Sequence, residues 1–196
     1  MKRITFFLFL LTISPNLFAQ EQTTTVNEAK PSVAKSIFGV QVGVLGGWVY
    51  NELKLSDKIA LRSEIGMQTF VYSDLATDDS YYFLVPEVAI EPRWYYNLNK
   101  RNEKGKNILN NSGNFISLRN AYASDAFKVG GPSDVDFIPE LHLVPSWGIR
   151  RNLGKHFNYE CSLGLGYRKV FETNNKVNNN NEDVAYNFQA RIGYKF

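Results

Sequence analysis

The chain has 196 residues, 44% of them hydrophobic and 14% aromatic, with 22 Lys+Arg against 19 Asp+Glu and one cysteine. That length allows one domain. The near-neutral balance excludes the basic excess of a nucleic-acid-binding protein, and a lone Cys161 excludes an internal disulfide and a cysteine-based metal site.

The chain opens Met1-Lys2-Arg3, runs apolar from Ile4 to Ser14 and exits through Asn16-Leu17-Phe18-Ala19-Gln20. A cationic start, an apolar stretch and a small-residue exit make a secretory signal peptide, assigned to residues 1–20. The alternative, an N-terminal anchor, is disfavoured because a bilayer-crossing helix takes about 20 apolar residues. No cysteine lies near the cleavage point, so a lipid anchor is not expected. Removing the segment takes Lys2 and Arg3 with it and leaves the charge near zero. Residues 21–36 are polar, with Thr23-Thr24-Thr25 and Pro31, and are expected to be a flexible periplasmic lead into a barrel of residues 37–196.

From there apolar and polar residues alternate, the mark of half-buried strands. Phe38, Val40, Val42 and Val44 form the first apolar row, and Val49, Leu53 and Leu55 the second. Ile59, Leu61, Ile65 and Met67 make the third, and Pro86, Val88, Ile90, Pro92, Trp94 and Tyr96 the fourth. The fifth row, Ile116, Leu118 and Tyr122, is the least regular, with Phe115 and Asn120 out of step. Leu141, Leu143, Trp147 and Ile149 follow, then Phe157, Tyr159, Cys161, Leu163, Leu165 and Tyr167. Val184, Tyr186, Phe188, Ala190, Ile192, Tyr194 and Phe196 close the chain. This predicts an all-β, eight-stranded antiparallel up-and-down transmembrane β-barrel. The count requires the first two strands to join near Gly46-Gly47. Tight turns at Ser56-Asp57-Lys58 and Gly154-Lys155-His156 alternate with longer polar connections, as periplasmic turns and outer loops do in outer-membrane barrels. The long connection Asn99 to Ser112 falls on the periplasmic side and breaks that pattern.

The other row decides which face is inside. It holds Glu52, Arg62, Glu64, Glu87, Glu91, Arg93, Arg119, Glu140, His142, Arg150, Glu160, Arg168, Arg191 and Lys195, interspersed with glycines. A soluble sandwich spreads its charges on an open surface and needs no glycine there. An eight-stranded barrel has an interior just wide enough for side chains. Long charged residues fit it only if small ones stand opposite, and buried charges must be paired. This row is therefore expected to be a lumen charge network, with Arg191 and Lys195 meeting acids such as Glu160 or Glu52. The apolar row is expected to face lipid. Its aromatics Trp94, Tyr96, Trp147, Tyr159, Tyr194 and Phe196 form a periplasmic girdle, and Tyr72, Tyr81, Tyr122 and Tyr167 an outer one.

Two segments echo each other: Pro86 to Trp94 and Pro139 to Trp147 both read P-E-φ-x-φ-x-P-x-W. This is consistent with an old hairpin duplication or with chance. Proline lacks the N–H a ladder needs, so bulges are expected at these sites.

On "EPRWYYNLNKRNEKGKNILNNSGNFISL" (Glu91 to Leu118), "LSDKIALRSEIG" (Leu55 to Gly66) and the alternating C-terminal strand, the chain resembles the small outer-membrane β-barrel proteins of Bacteroidetes-type bacteria, of the OmpA-transmembrane and OmpX class. The resemblance implies outer-membrane location, contact with lipid and lipopolysaccharide, and recognition of Ile192, Tyr194 and Phe196 by the barrel-assembly machinery. It implies no particular activity.

Chemistry is sparse. In lipid A deacylases, which are of similar size, a nucleophilic Ser lies two residues after a His; here Val144 follows His142 and Asn158 follows His156, so no enzyme is expected. No cofactor or metal is expected either; Asp74, Asp78 and Asp79 lack a Ca²⁺-loop pattern. A structural or interaction protein is the leading reading: adhesion, envelope integrity or a complex subunit. A narrow or gated pore for small solutes is the alternative. Lys100, Arg101, Lys104 and Lys106 are candidates to meet inner-leaflet phosphates or a periplasmic partner.

Overall fold

The computed structural model describes residues 30–74, 79–133, 136–171 and 182–196; the signal segment and most of the lead lie outside them. Eight strands run in chain order: β1 (Ser36–Gly43), β2 (Gly46–Lys54), β3 (Ile59–Asp74), β4 (Asp79–Trp94), β5 (Asn114–Ala123), β6 (Glu140–Leu153), β7 (Phe157–Val170) and β8 (Glu182–Lys195). Each pairs antiparallel with its sequence neighbours, and β1 pairs with β8, so the sheet closes into an eight-stranded up-and-down barrel.

The period-two pattern fixes which side chains enter the lumen. On β5 burial alternates strictly, with Phe115, Ser117, Arg119, Ala121 and Ala123 inside. Phe115 and Asn120 are out of step only chemically: the phenyl ring is inside and the amide outside. Tyr81, expected in the outer girdle, shares the inward row with buried Phe83; exposed Tyr82 is the outward residue. The side chain of Tyr72 lies outside the described ones, as do those of Asp74, Asp78 and Asp79.

The first hairpin turns through Val44 and Leu45, with Gly43 opposite Gly46. It is shorter than its neighbours. β2 pairs with β3 only as far as Gln68, and Thr69 N–H then bonds Leu45 O at 2.8 Å. β1 pairs with β8 only from Gly39 to Gly43. Above the hairpin tip, β3 and β8 continue without a strand between them.

The prolines do not make bulges. Pro92 stays opposite Leu61 and Pro145 opposite Leu118, and the register is unchanged on either side. What is lost is the ladder to the next strand. The β4–β5 pairs jump from Ile90–Asn120 to Arg93–Ser117, and the β6–β7 pairs from Leu143–Tyr167 to Ser146–Gly164. A missing N–H therefore interrupts two pairs without inserting a residue. Trp94 and Trp147 flank Ile116 at one level.

The end of the barrel that carries the C-terminus is closed by the connection after β4. Helix α1 (Leu98–Glu103) and a 3-10 turn (Leu109–Asn111) fold under the strands, with Leu98 fully buried. The end of the lead docks there too, which corrects its description as flexible over residues 30–36. Val33 is buried in the same cluster, its N–H bonds Asp57 O at 3.0 Å, and Ser36 already belongs to β1.

Candidate functional site

Among the described residues, ten buried charged side chains in the lumen join into one network. Arg119 meets Glu64 at 2.7 Å; Glu64 bonds Arg62; Arg62 lies 3.6 Å from Glu160. Glu160 meets Arg93 at 2.8 Å, Arg93 meets Glu91 at 2.7 Å, and Glu91 returns to Arg119 at 3.9 Å. The result is a closed ring of alternating sign. Glu52 spans it, 3.0 Å from Arg150, 3.7 Å from Arg62 and 3.8 Å from Arg93. Glu87 caps Arg119 at 2.6 Å, and Arg191 meets Glu64 at 2.7 Å. Isolated charges in such a place would cost several kcal/mol each; here each has an opposite partner.

Four arginines also lie over aromatic rings inside the barrel. Arg62 and Arg150 face Tyr50 at 3.9 and 5.2 Å, Arg93 faces Phe115 at 4.3 Å, and Arg191 faces Trp48 at 3.6 Å. Planar guanidinium groups suit this stacking better than ammonium groups, because they can lie flat on the ring while donating at their edges. Tyr50 Oη accepts from Arg150 at 2.7 Å, and Trp48 Nε1 donates to Glu87 at 3.1 Å.

At Gly148 an added Cβ would run into the Phe115 ring. At Gly66 it would meet Gly47 O before Trp48 Cδ1 at 2.6 Å, and at Gly39 it would meet Tyr194 O before Tyr50 Oη at 2.9 Å, so close backbone and an aromatic ring together hold these two positions to glycine.

Apolar layers close the network above and below. At the C-terminal end, Val33, Ala60, Tyr95, Leu98 and Phe115 form one cluster. At the other end Phe83, Val85 and Ala123 form a second, with Phe70 and Phe137 packed on it. The lower layer is latched to the charges: Tyr95 Oη and Asn111 Nδ2 donate to Glu52 at 2.8 and 2.6 Å, and Asn111 Oδ1 accepts the Ala34 N–H at 2.7 Å. Asn111 adopts φ 63°, a left-handed conformation that asparagine tolerates.

Of the residues the sequence assigned to this network, Glu140, His142 and Arg168 form a separate group near the other rim. Glu140 lies 3.2 Å from His142 and 3.5 Å from Arg168, which meets Asp183 at 2.9 Å. Lys195 joins neither group: among the described residues it has no acidic partner, and Arg191 selects Glu64 on β3 rather than Glu160 or Glu52. Gln41, Tyr50 and Asn158 are buried on the inward row that alternation assigns them. Trp48 and Phe115 are in the lumen too, against their chemistry: Trp48 shares the row of Glu52, and Phe115 that of Arg119.

Outside, the apolar row is exposed around the whole barrel; Ile65, Ile90, Leu163 and Ile192 are all more than half exposed. Among the described side chains the outward row carries charge only at Arg151, near the C-terminal end, and Lys169, near the other. The girdle aromatics meet one another. Trp147 Nε1 donates to Tyr96 Oη at 2.9 Å, Trp94 lies 6.0 Å from Tyr96, and Tyr194 lies 5.4 Å from both Phe157 and Phe196. Tyr159 is half-buried beside them on β7. Lys100, Lys104 and Lys106 are exposed on the closing connection, whereas Arg101 turns back and donates to Asn107 O at 3.0 Å. Arg101 thus shapes the loop rather than joining an open basic patch.

In the half of the lumen away from the C-terminus lies a cavity of about 180 Å³. Trp48, Glu87, Arg119 and Arg191 form its floor, and Gln68, Phe70, Asn187 and Val144 line it further up. Comparison with protein-family models, with curated proteins and with solved structures finds no match for this chain.

Proposed function

We propose that this protein is an outer-membrane β-barrel of a Gram-negative-type bacterium, related to the small OmpA-transmembrane and OmpX class, which serves as a structural or interaction protein of the envelope. One observation carries the reading: the barrel is inverted, with its charges inside and an apolar exterior all round. Soluble proteins rarely expose contiguous apolar patches beyond a few hundred Å². Strands of 14 to 16 residues, as in β3, β4, β6, β7 and β8, exceed the roughly 9–11 that a tilted membrane strand needs. In this setting Arg151 and Lys169 reach opposite headgroup zones, and the linked aromatics mark the periplasmic interface.

Lipid and lipopolysaccharide would contact the exterior, and Ile192, Tyr194 and Phe196 would present the assembly signal. Lys100, Lys104 and Lys106 would offer periplasmic contacts. A narrow or gated pore is the competing reading; it requires the ionic ring and both apolar layers to part. No catalytic role is proposed: His142 is engaged by Glu140, and Val144 stands where a deacylase carries its serine.

Expression with the leader in a Gram-negative host, followed by membrane separation, tests the location. Recovery in the outer-membrane fraction, with a gel mobility that changes on boiling, is expected. Recovery as soluble periplasmic protein would refute it. Planar-bilayer recording separates the two functions: a silent bilayer fits a closed barrel, and discrete conductance steps favour the pore.

A further inference from the structure

The barrel wall is incomplete beside the cavity. β8 has no strand partner on its β1 side from Val184 to Ala190, and β3 none on its β2 side beyond Thr69. Phe196 N–H bonds Phe38 O, so the alternation of an antiparallel ladder aims the backbone groups of Phe188, Tyr186 and Val184 into this gap. The hairpin beneath it has strands of 8 and 9 residues, below or at the lower limit of what a tilted strand needs to cross a bilayer. The gap therefore falls within the outer part of the apolar band, where an open strand edge is costly.

The cavity opens onto this gap and changes character along its length. Val44, Leu45, Tyr186 and Phe188 line the gap side. Arg119, Arg191 and Glu87 lie at the inner end, with Gln68 and Asn187 between. Arg191 is 3% exposed, and among the described residues its Nε has no hydrogen-bond partner. Its acid, Glu64, is shared with Arg62 and Arg119, while Glu87 is taken by Arg119 and Trp48. One donor of a buried guanidinium thus remains unpaired at the floor of a cavity whose mouth is apolar.

We infer that the gap is a lateral portal, and that the cavity takes the carboxylate head of a single-chain amphiphile, a fatty acid, entering from the membrane. The head meets Arg191, and the chain leaves between the β1–β2 turn and the β8 edge, covering the edge where no strand does. Size favours a compact head: about 180 Å³ is less than the roughly 300–1,000 Å³ of a pocket that encloses a drug-sized ligand. This inference rests on the membrane reading above.

The test uses the full mature chain refolded into vesicles, with Trp94 and Trp147 replaced by Phe, which leaves Trp48 as its one indole. A boiling-dependent gel shift first establishes insertion; its absence would overturn the membrane reading itself. Dibromostearate is then titrated, with its methyl ester and a dibrominated phospholipid as parallel arms. Saturable quenching of Trp48 by the acid alone is expected. Gln68→Phe fills the cavity without touching the ionic network: among the described residues the Gln68 amide bonds the adjacent Thr69 O, at 3.4 Å, and no charged group. It should weaken the acid at least tenfold while leaving the gel shift intact. Quenching that rises linearly, is equal for acid and ester, or is indifferent to Gln68→Phe would overturn the inference. Saturation by the phospholipid alone would overturn the assignment of a fatty acid.

Discussion

Arg150 on β6 donates to Glu52 on β2 at 3.0 Å, tying together strands that stand on opposite sides of the barrel. Arg150→Met leaves the Glu52 carboxylate with arginines only at 3.7 and 3.8 Å. Removing one partner of a buried pair costs about 3–5 kcal/mol. Glu52→Gln removes the stranded charge yet keeps an oxygen for Tyr95 and Asn111. The double variant should therefore be more stable than the two single costs predict, by about 0.5–3 kcal/mol. Urea midpoints of the refolded barrel measure this, and strictly additive losses would speak against the pairing.

Gly148 and Phe115 make a second coupled pair. Because a methyl group at 148 would strike the buried ring, Gly148→Ala should destabilise the barrel by about 1–3 kcal/mol. Phe115→Leu in the same chain should recover much of that loss by vacating the space. Equal urea midpoints for wild type and Gly148→Ala would show that the lumen is looser than described.

The turn between β2 and β3 carries a pH effect. Hydrogen bonds from Lys54 and then Lys30 pull the Asp57 carboxyl from its usual 3.8 down to about 2. A depressed carboxylate stabilises the fold fully above its unfolded value and loses that contribution as pH falls through its folded one. Asp57→Asn should therefore lower the urea midpoint at neutrality, and its difference from wild type should shrink to nothing as pH falls from about 4 to 2. An identical acid profile in both proteins would exclude the lysine clamp.

What could be read from the sequence follows from where its information is local. Alternation along β3 to β8 marks both the strands and the inward row, and it puts Arg62, Arg93, Arg119, Arg150 and Arg191 on one face with Glu64, Glu87, Glu91 and Glu160. Parity outranks chemistry in this lumen: Phe115 and Trp48 look out of place among polar neighbours, yet their rows are those of Arg119 and Glu52. The choice of Glu64 for Arg191 depends on reach across the lumen, which no spacing encodes. The lower layer joins Val33 of the lead to Tyr95 and Leu98 of the connection after β4, and the gap above the first hairpin appears only once ladder lengths are compared.

Cys161 tests the central claim of an inverted barrel most directly. It is the one cysteine, exposed on the outward row of β7 between Ile149 and Ala190. A nitroxide attached there, in protein reconstituted into vesicles, reports its surroundings by collision with molecular oxygen and with a water-soluble nickel chelate. In an inverted, lipid-facing barrel oxygen relaxes the probe strongly and the chelate little, as for a side chain in hydrocarbon. Strong relaxation by the chelate would contradict it, placing the apolar exterior in water.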